Sequence, residues 1–291
     1  MLQGAIDSFI ASLSTGENRS KRNTMMAYYN DLRQLSCYLE EQGVEEWSQV
    51  TGEHMARYLL ALSERQAYRP ATVARKFAAI RSFFRYSQRT GVITANPVEK
   101  VEAPHARKAL PQALDAEQVA SLFAQVSTET PIGLRDLAML HLLYATGMRS
   151  SEIVALNVDD FDPVLAIVVC PDHKERERPG RVIPVPAVAV DVLLCYLTRV
   201  RPLLVRRIEE RSLFLNRHGE RLTRQGFWLI IKGYARQAGI IDITPHMLRH
   251  SFALHMLKSG MQLRSVQELL GHAHISTTQV YYRLSRTAAR E

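Results

Sequence analysis

Residues 97–111 constrain this chain more than any other stretch. Pro97, Pro104 and Pro111 bracket a segment that carries His105, Arg107 and Lys108 and shows no apolar periodicity, which marks a linker rather than an element. A chain interrupted in this way folds as two bodies, and 291 residues at about 150 per domain suffice for two cores. The expected division is an N-terminal domain over residues 1–104, a linker over 105–111 and a second domain over 112–291.

The two bodies read differently. Before the break everything is helical: Ala27, Leu32, Leu35 and Leu39 recur at helical spacing, as do Met55, Tyr58, Leu59 and Leu62 behind Thr51 as N-cap. A further helix after Pro70 carries Val73, Phe77, Ile80 and Phe84 on one face. After the break the pattern is mixed. A helix over 134–144 stops at Gly147, and a short one follows with Ser150 as its cap. Two β-branched apolar runs, 165–170 and 181–185, flank charged residues and Pro179-Gly180, which reads as a β-hairpin with a long basic tip. Helices are expected over 187–203, 224–238, 245–258 and 263–270, with Thr244 and Pro245 as an N-cap and first-turn pair and Gly260 and Gly271 as stops. Ser276 to Gln279 has the spacing of a capping box that opens a last helix. The expected fold class is mostly α with a small β-sheet: an N-terminal helical domain and a C-terminal mixed α+β domain.

Composition enters where partners are concerned. A hydrophobic fraction of 46% and a charged fraction of 23% are ordinary for a globular protein and exclude a disordered or fibrous chain. No apolar run approaches the ~18 residues of a membrane span, and Met1 to Ala5 open no secretory pattern, so no membrane partner and a cytoplasmic location are expected. Cys37, Cys170 and Cys195 are widely spaced, so neither a disulfide framework nor a metal site is expected. Lys plus Arg is 37 against 29 for Asp plus Glu, a net charge of +8. Between Glu64 and Glu99 there is no acidic residue, while Arg65, Arg69, Arg75, Lys76, Arg81, Arg85 and Arg89 all fall there. A one-sign stretch repels itself unless a polyanion neutralises it. Arg69, Arg75, Lys76, Arg81 and Arg85 are therefore the candidate nucleic-acid-binding residues, all but Arg69 on a helix that packs its apolar stripe inward and faces phosphate outward.

Three segments of the second body place Arg, His and Tyr beside helix ends. In Thr146-Gly147-Met148-Arg149-Ser150-Ser151-Glu152 an arginine precedes a helix, with a glutamate three residues on to hold it. In Pro245-His246-Met247-Leu248-Arg249-His250, His246 and Arg249 share a helix face, with Leu248, Phe252 and Met256 on the buried one. In Leu270-Gly271-His272, followed by Ser276-Thr277-Thr278-Gln279-Val280-Tyr281-Tyr282, a histidine follows a helix stop and a tyrosine lies near a helix start. Singly, each has an ordinary structural account: a surface ion pair, a capping histidine, core tyrosines with wet hydroxyls.

Together, in this order, they resemble the tyrosine recombinase (phage integrase) family, most of all its Xer-type site-specific recombinases. The resemblance reaches the first body as well, through Thr24-Met-Met-Ala-Tyr28 with Asp31-Leu32, the helix Arg75 to Tyr86, and Asn96-Pro97. It implies a helical core-binding domain and a catalytic domain gripping opposite sides of a duplex. It also implies strand exchange through a 3′-phosphotyrosine that stores the bond energy, without cofactor, metal or ATP. Arg149 and Arg249 would hold the non-bridging oxygens of the transition state, and His272 would add a hydrogen bond. His246 would be the general base or acid, and Tyr281 the nucleophile, its phenolate favoured by a helix N-terminus. The family spacing selects Tyr281 over Tyr282, which is assigned to packing, and gives His250 and His255 no catalytic role. The family takes its general acid from a hairpin lysine, here Lys174, with an insertion; alignment without a gap puts Arg176 there instead. The implied partner is a double-stranded recombination site, bound by a homotetramer across two sites, alone or with a second recombinase. Chromosome or plasmid dimer resolution, transposon or phage integration, a type IB topoisomerase-like activity and a non-catalytic DNA-binding role all stay open at this point, the first foremost.

Overall fold

The computed structural model describes residues 2–15, 22–64, 68, 70–102, 112–170 and 180–287. Arg69, Lys174, Arg176 and the expected linker 105–111 lie outside the described residues. The chain divides into two compact units, Met1–Ala109 and Leu110–Glu291.

The first unit consists of helices α1 (Leu2–Thr15), α2 (Arg22–Glu41), α3 (Gly52–Glu64) and α4 (Pro70–Arg89). Their apolar stripes meet as the periodicity requires: Leu32, Leu35 and Leu39 of α2, Met55 and Leu62 of α3, and Val73, Phe77, Ile80 and Phe84 of α4 are all buried. Trp47 seats the cluster, with Phe83 edge-on at 4.6 Å and its indole N–H donating to Leu2 O at 2.9 Å. Thr51 caps α3, its Oγ1 accepting from His54 N at 3.3 Å.

The second unit opens with α5 (Ala116–Ala124) and α6 (Pro131–Thr146), the latter ended by Gly147 at φ 60°. A Cβ at Gly147 would lie 2.3 Å from Phe252 Cδ1, so close packing and backbone conformation both demand glycine. Next come α7 (Ser150–Ile153) and an antiparallel sheet of β1 (Phe161–Asp162), β2 (Ile167–Cys170) and β3 (Arg181–Pro184) in that order, with Cys170 opposite Arg181. The two expected strands pair, over 167–170 and 181–184, while the expected basic tip over 171–179 lies outside the described residues; β1, only two residues long, offered no alternating pattern to read. The helix expected over 187–203 is a continuous run of α8 (Ala187–Cys195), a π turn over Tyr196–Val200, and α9 (Arg201–Leu204). Pro202 lacks an N–H and its ring crowds the carbonyl four residues back, which widens the ladder upstream. Helices α10 (Arg224–Gln237), α11 (Pro245–Lys258), α12 (Leu263–Leu270) and α13 (Ile275–Thr287) complete the unit.

Two local expectations are corrected. The cap of α7 is Arg149 rather than Ser150, because the Glu152 carboxylate reaches back to accept the Arg149 backbone N–H at 2.8 Å. Ser276 lies inside α13, which already begins at Ile275, so its spacing to Gln279 is not a capping box. The main core lies around α6, α8, the sheet and α10. A satellite core of Phe252, Ala253, Val266, Leu270 and Tyr281 joins α11, α12 and α13.

Candidate active site

The C-terminus of α12 organises the site. The last carbonyls of any helix have no intrahelical partner, and here three different arginines donate to three successive ones. Arg181 Nε donates to Leu269 O at 2.9 Å. Arg249 Nη2 donates to Leu270 O at 2.6 Å, and its Nη1 to Gly147 O at 2.6 Å. Arg149 Nη2 donates to Gly271 O at 3.3 Å. The macrodipole adds to the attraction, since a helix C-terminus favours cations. Gly271 at φ 60° turns the chain away beneath this cluster.

Glu152 binds the arginines to one another. Its carboxylate accepts from Arg149 Nη1 at 2.8 Å and from Arg181 Nη2 at 2.8 Å. Burial by itself would raise its pKa, but the hydrogen bond and charge of Arg181, with the Arg149 contributions, outweigh burial and hold it at about 2. Glu152 is thus ionised across the physiological range. Arg249 is 3% exposed; burial first, then the neighbouring Arg149 charge, lowers its pKa.

The histidines and the tyrosine stand against this cluster. His272 Nδ1 is 2.9 Å from Oγ1 of the buried Thr278, which orients the ring. Its ring stacks on Tyr281 at 6.4 Å between centroids. Tyr281 is 4% exposed, and burial pushes its phenol above the ordinary value while Arg249 and Arg149 pull the other way. The expectation that a helix N-terminus favours its phenolate is therefore reversed: Tyr281 sits in the second turn of α13, where the dipole has faded, and desolvation dominates. Tyr282, assigned to packing from the sequence, is 44% exposed.

The Tyr281 hydroxyl makes its hydrogen bond with His250, Oη to Nδ1 at 2.5 Å, a residue to which the family resemblance assigns no catalytic role. His246 lies one turn before it, the two rings 6.4 Å apart. Both are lowered in pKa: His246 by burial and by Arg249, Arg149 and Arg224, His250 to about 4 by burial, His246 and Arg249. Both rings are therefore neutral at pH 7 and able to accept a proton.

The structure thus brings Arg149, Arg249, His246, His272 and Tyr281 into one neighbourhood. Arg181, His250 and Thr278 join them unannounced, although each had a readable signal. Arg181 alternates with Ile183 and Val185 on the inward face of its strand. His250 and Thr278 lie one helical turn from His246 and Tyr281. Among the described residues no group of three or more His, Cys, Asp or Glu could hold a metal ion, and no described helix is long and apolar enough to cross a membrane.

The basic stretch of the first unit is only partly what its spacing suggested. Arg75, Arg81 and Arg85 are exposed, Arg81 lying over the Phe77 ring at 5.9 Å. Lys76 is not on that surface. Its side chain is 6% exposed, and Nζ bonds Asp31 at 2.9 Å and Gln34 at 2.6 Å. At 100° per residue Lys76 falls within the buried stripe, and a buried ammonium requires a partner. Arg75 also pairs with Asp31 from the rim of the same cluster.

Comparisons with known proteins agree along the whole chain. Residues 112–287 match the family model described as Phage integrase family, and residues 6–91 match Phage integrase, N-terminal SAM-like domain. The chain is 45% identical over 289 residues to a protein named tyrosine recombinase XerC from Herpetosiphon aurantiacus, covering 99% of this chain and 93% of that one. It is 40% identical to a tyrosine recombinase XerD from Listeria innocua, covering 98% and 96%. In fold it resembles the XerH site-specific recombinase bound to a palindromic difH substrate (TM-score 0.78, 19% identity, 99% of this chain and 94% of that one). A Tn1549 transposon integrase with circular-intermediate DNA is similar too (TM-score 0.80, 17% identity, 98% of each).

Proposed function

The chain belongs to the phage integrase family as an Xer-like site-specific tyrosine recombinase, an enzyme that exchanges DNA strands, and from that premise we propose which residues carry the reaction. Tyr281 Oη attacks the scissile phosphorus; the bond to the 5′-oxygen breaks, leaving a 3′-phosphotyrosyl link and a 5′-hydroxyl. Arg149 and Arg249 hold the non-bridging oxygens with donors that the α12 carbonyls leave over, and the rigid guanidinium fork suits a phosphorane. His272 donates from the nitrogen opposite Thr278. His246 takes the tyrosine proton, and Lys174 of the hairpin protonates the leaving oxygen. Attack by an incoming 5′-hydroxyl reverses the sequence on a new strand, so phosphodiester energy is conserved.

One observation carries this reading: a single helix end orients Arg149 and Arg249 while the same satellite core buries Tyr281 beside them. The hydrogen bond between Tyr281 and His250 supports a second reading, in which His250 rather than His246 receives the proton.

The DNA partner is a recombination site, engaged by four protomers across two duplexes, alone or with a second recombinase. Arg81 and Arg85 contact phosphates of the first unit's footprint. The biological role is resolution of chromosome or plasmid dimers in the cytoplasm.

The test uses a nicked suicide duplex carrying the site recovered by sequencing DNA trapped on the protein. Tyr281→Phe binds it normally and forms no covalent adduct on a denaturing gel. Loss of the adduct in Tyr282→Phe instead would reassign the nucleophile.

A further inference from the structure

Arg181 differs from the other two arginines of the cluster. Its Nε is spent on Leu269 O at 2.9 Å, its Nη2 on Glu152 at 2.8 Å, and its Nη1 on Glu152 and on Cys170 Sγ, both at 3.3 Å. Every nitrogen of the guanidinium is engaged inside the protein, which leaves it badly placed to hold a phosphate. Yet it touches what the phosphate-holding residues rest on. It shares the Glu152 carboxylate with Arg149. It caps the carbonyl next to the one that fixes Arg249. Its guanidinium also lies against Gly271, where an added Cβ would come within 3.0 Å of Nη1, one residue before His272.

We propose that Arg181 is a positioning residue of the recombination site. Through Glu152 it sets the orientation of Arg149, and through Leu269 and Gly271 it sets the turn that presents His272. The inference rests on the reading of Arg149 as a phosphate ligand.

The buried Glu152 carboxylate is hydrogen-bonded at both oxygens, Oε1 by Arg149 and Arg181 and Oε2 by Arg181 and the Arg149 backbone N–H, and this network fixes the two guanidiniums relative to each other. With Arg181 gone, Glu152 is held only from the Arg149 segment, by the Arg149 backbone N–H and Nη1, nothing restrains the Arg149 guanidinium from the β3 side, and the Leu269 carbonyl loses the Arg181 donor. Arg149 then samples positions displaced from the productive one, and displacements near 1 Å cost up to about 100-fold in rate. Arg181 also begins the strand that follows the hairpin tip, so the same contact ties β3 to the arginine cluster.

The experiment is a double-mutant cycle on single-turnover adduct formation, with half-site affinity measured beside it. Arg181→Ala slows cleavage by about 30-fold and moves the dissociation constant by less than about twofold. Arg181→Lys keeps a positive charge beside Glu152 but cannot bond Glu152 and Leu269 at once, so it recovers to within about fivefold of wild type. Behind Arg149→Lys, which has already lost the fork, Arg181→Ala costs less than about threefold, because the residue acts through one that is no longer competent. Equal losses in both backgrounds, or wild-type cleavage by Arg181→Ala, overturn the proposal. Should Arg181→Ala not fold, Arg181→Lys carries the same cycle, with about fivefold expected in the wild-type background and under about twofold behind Arg149→Lys. Wild-type cleavage by Arg149→Lys itself would instead overturn the reading of Arg149 and leave Arg181 without a target.

Discussion

Helix α4 and the end of helix α12 both gather arginines, and they do opposite things with them. On α4 Arg81 and Arg85 are exposed, Arg81 lying over the Phe77 ring. At α12, Arg149, Arg181 and Arg249 are locked by backbone carbonyls and one buried glutamate. Mobile surface charge neutralises a polyanion regardless of sequence, and its effect fades with salt. Fixed, desolvated charge aims at one position and acts on the transition state without reorganising. The contrast between the two regions is therefore one of fixation rather than of charge.

The largest effect that sharpens this contrast is expected from Arg249→Ala. Losing a fixed donor from the transition state costs cleavage on the order of 10²–10³-fold, while half-site affinity changes only a few-fold. Arg149→Ala behaves alike. If affinity falls as far as rate, the two regions are the same kind of site and the contrast fails.

A smaller loss is expected at the proton acceptor. Replacing the true base with glutamine slows adduct formation about 100-fold, and parallel His246→Gln and His250→Gln proteins decide between the two readings. Because both imidazoles have lowered pKa values, the base form persists below the ordinary 6.5 and is lost only as pH falls through the lowered value. The acid limb of the rate profile accordingly lies below pH 6.5, toward pH 4 if His250 is the base. A limb at or above pH 6.5 would contradict the buried, arginine-flanked environment.

On α4, Arg81→Ala with Arg85→Ala weakens specific and random duplexes equally. The slope of log K against log salt becomes shallower by about 1.8. Lys76→Met leaves that slope unchanged and lowers thermal stability instead, by about 1–3 kcal/mol, since it strips a buried partner from Asp31. A Lys76→Met protein with a shallower slope would return that residue to the DNA surface.

The smallest effect is expected at Gly271. Alanine there must adopt a left-handed backbone, costing about 1–2 kcal/mol, and must push against the Arg181 guanidinium. A modest drop in melting temperature with a severalfold slower cleavage is expected. Unchanged cleavage would show that the turn can shift without disturbing the arginines.

Much of this was readable along the chain. Helices α11 and α12 run as expected because their signals are local: Thr244 and Pro245 at one start, Gly260 and Gly271 at the ends. The motifs that pointed to Arg149, His246, Arg249, His272 and Tyr281 lie at or within two turns of the ends of α7, α11, α12 and α13, and the structure brings these residues together, while Lys174 lies outside the described residues. Where local signals misled, a neighbour decided. Ser276 has capping-box spacing, yet α13 starts one residue earlier. Lys76 belongs to a stretch of like charge, yet its position on the wheel turns it toward Asp31.

What the sequence determined by itself is therefore the two-body division, most helix limits, and the chemical types gathered at the site. The tertiary structure alone decided which charges are buried, which partner each takes, and which histidine meets Tyr281. The reason is physical. Periodicity and capping act over a few residues, whereas the partners that compensate a desolvated charge come from afar. Asp31 lies 45 residues from Lys76, and the Leu269 carbonyl 88 residues from Arg181. Until those segments pack, an arginine that will meet only backbone carbonyls and one that will meet a buried glutamate are the same residue.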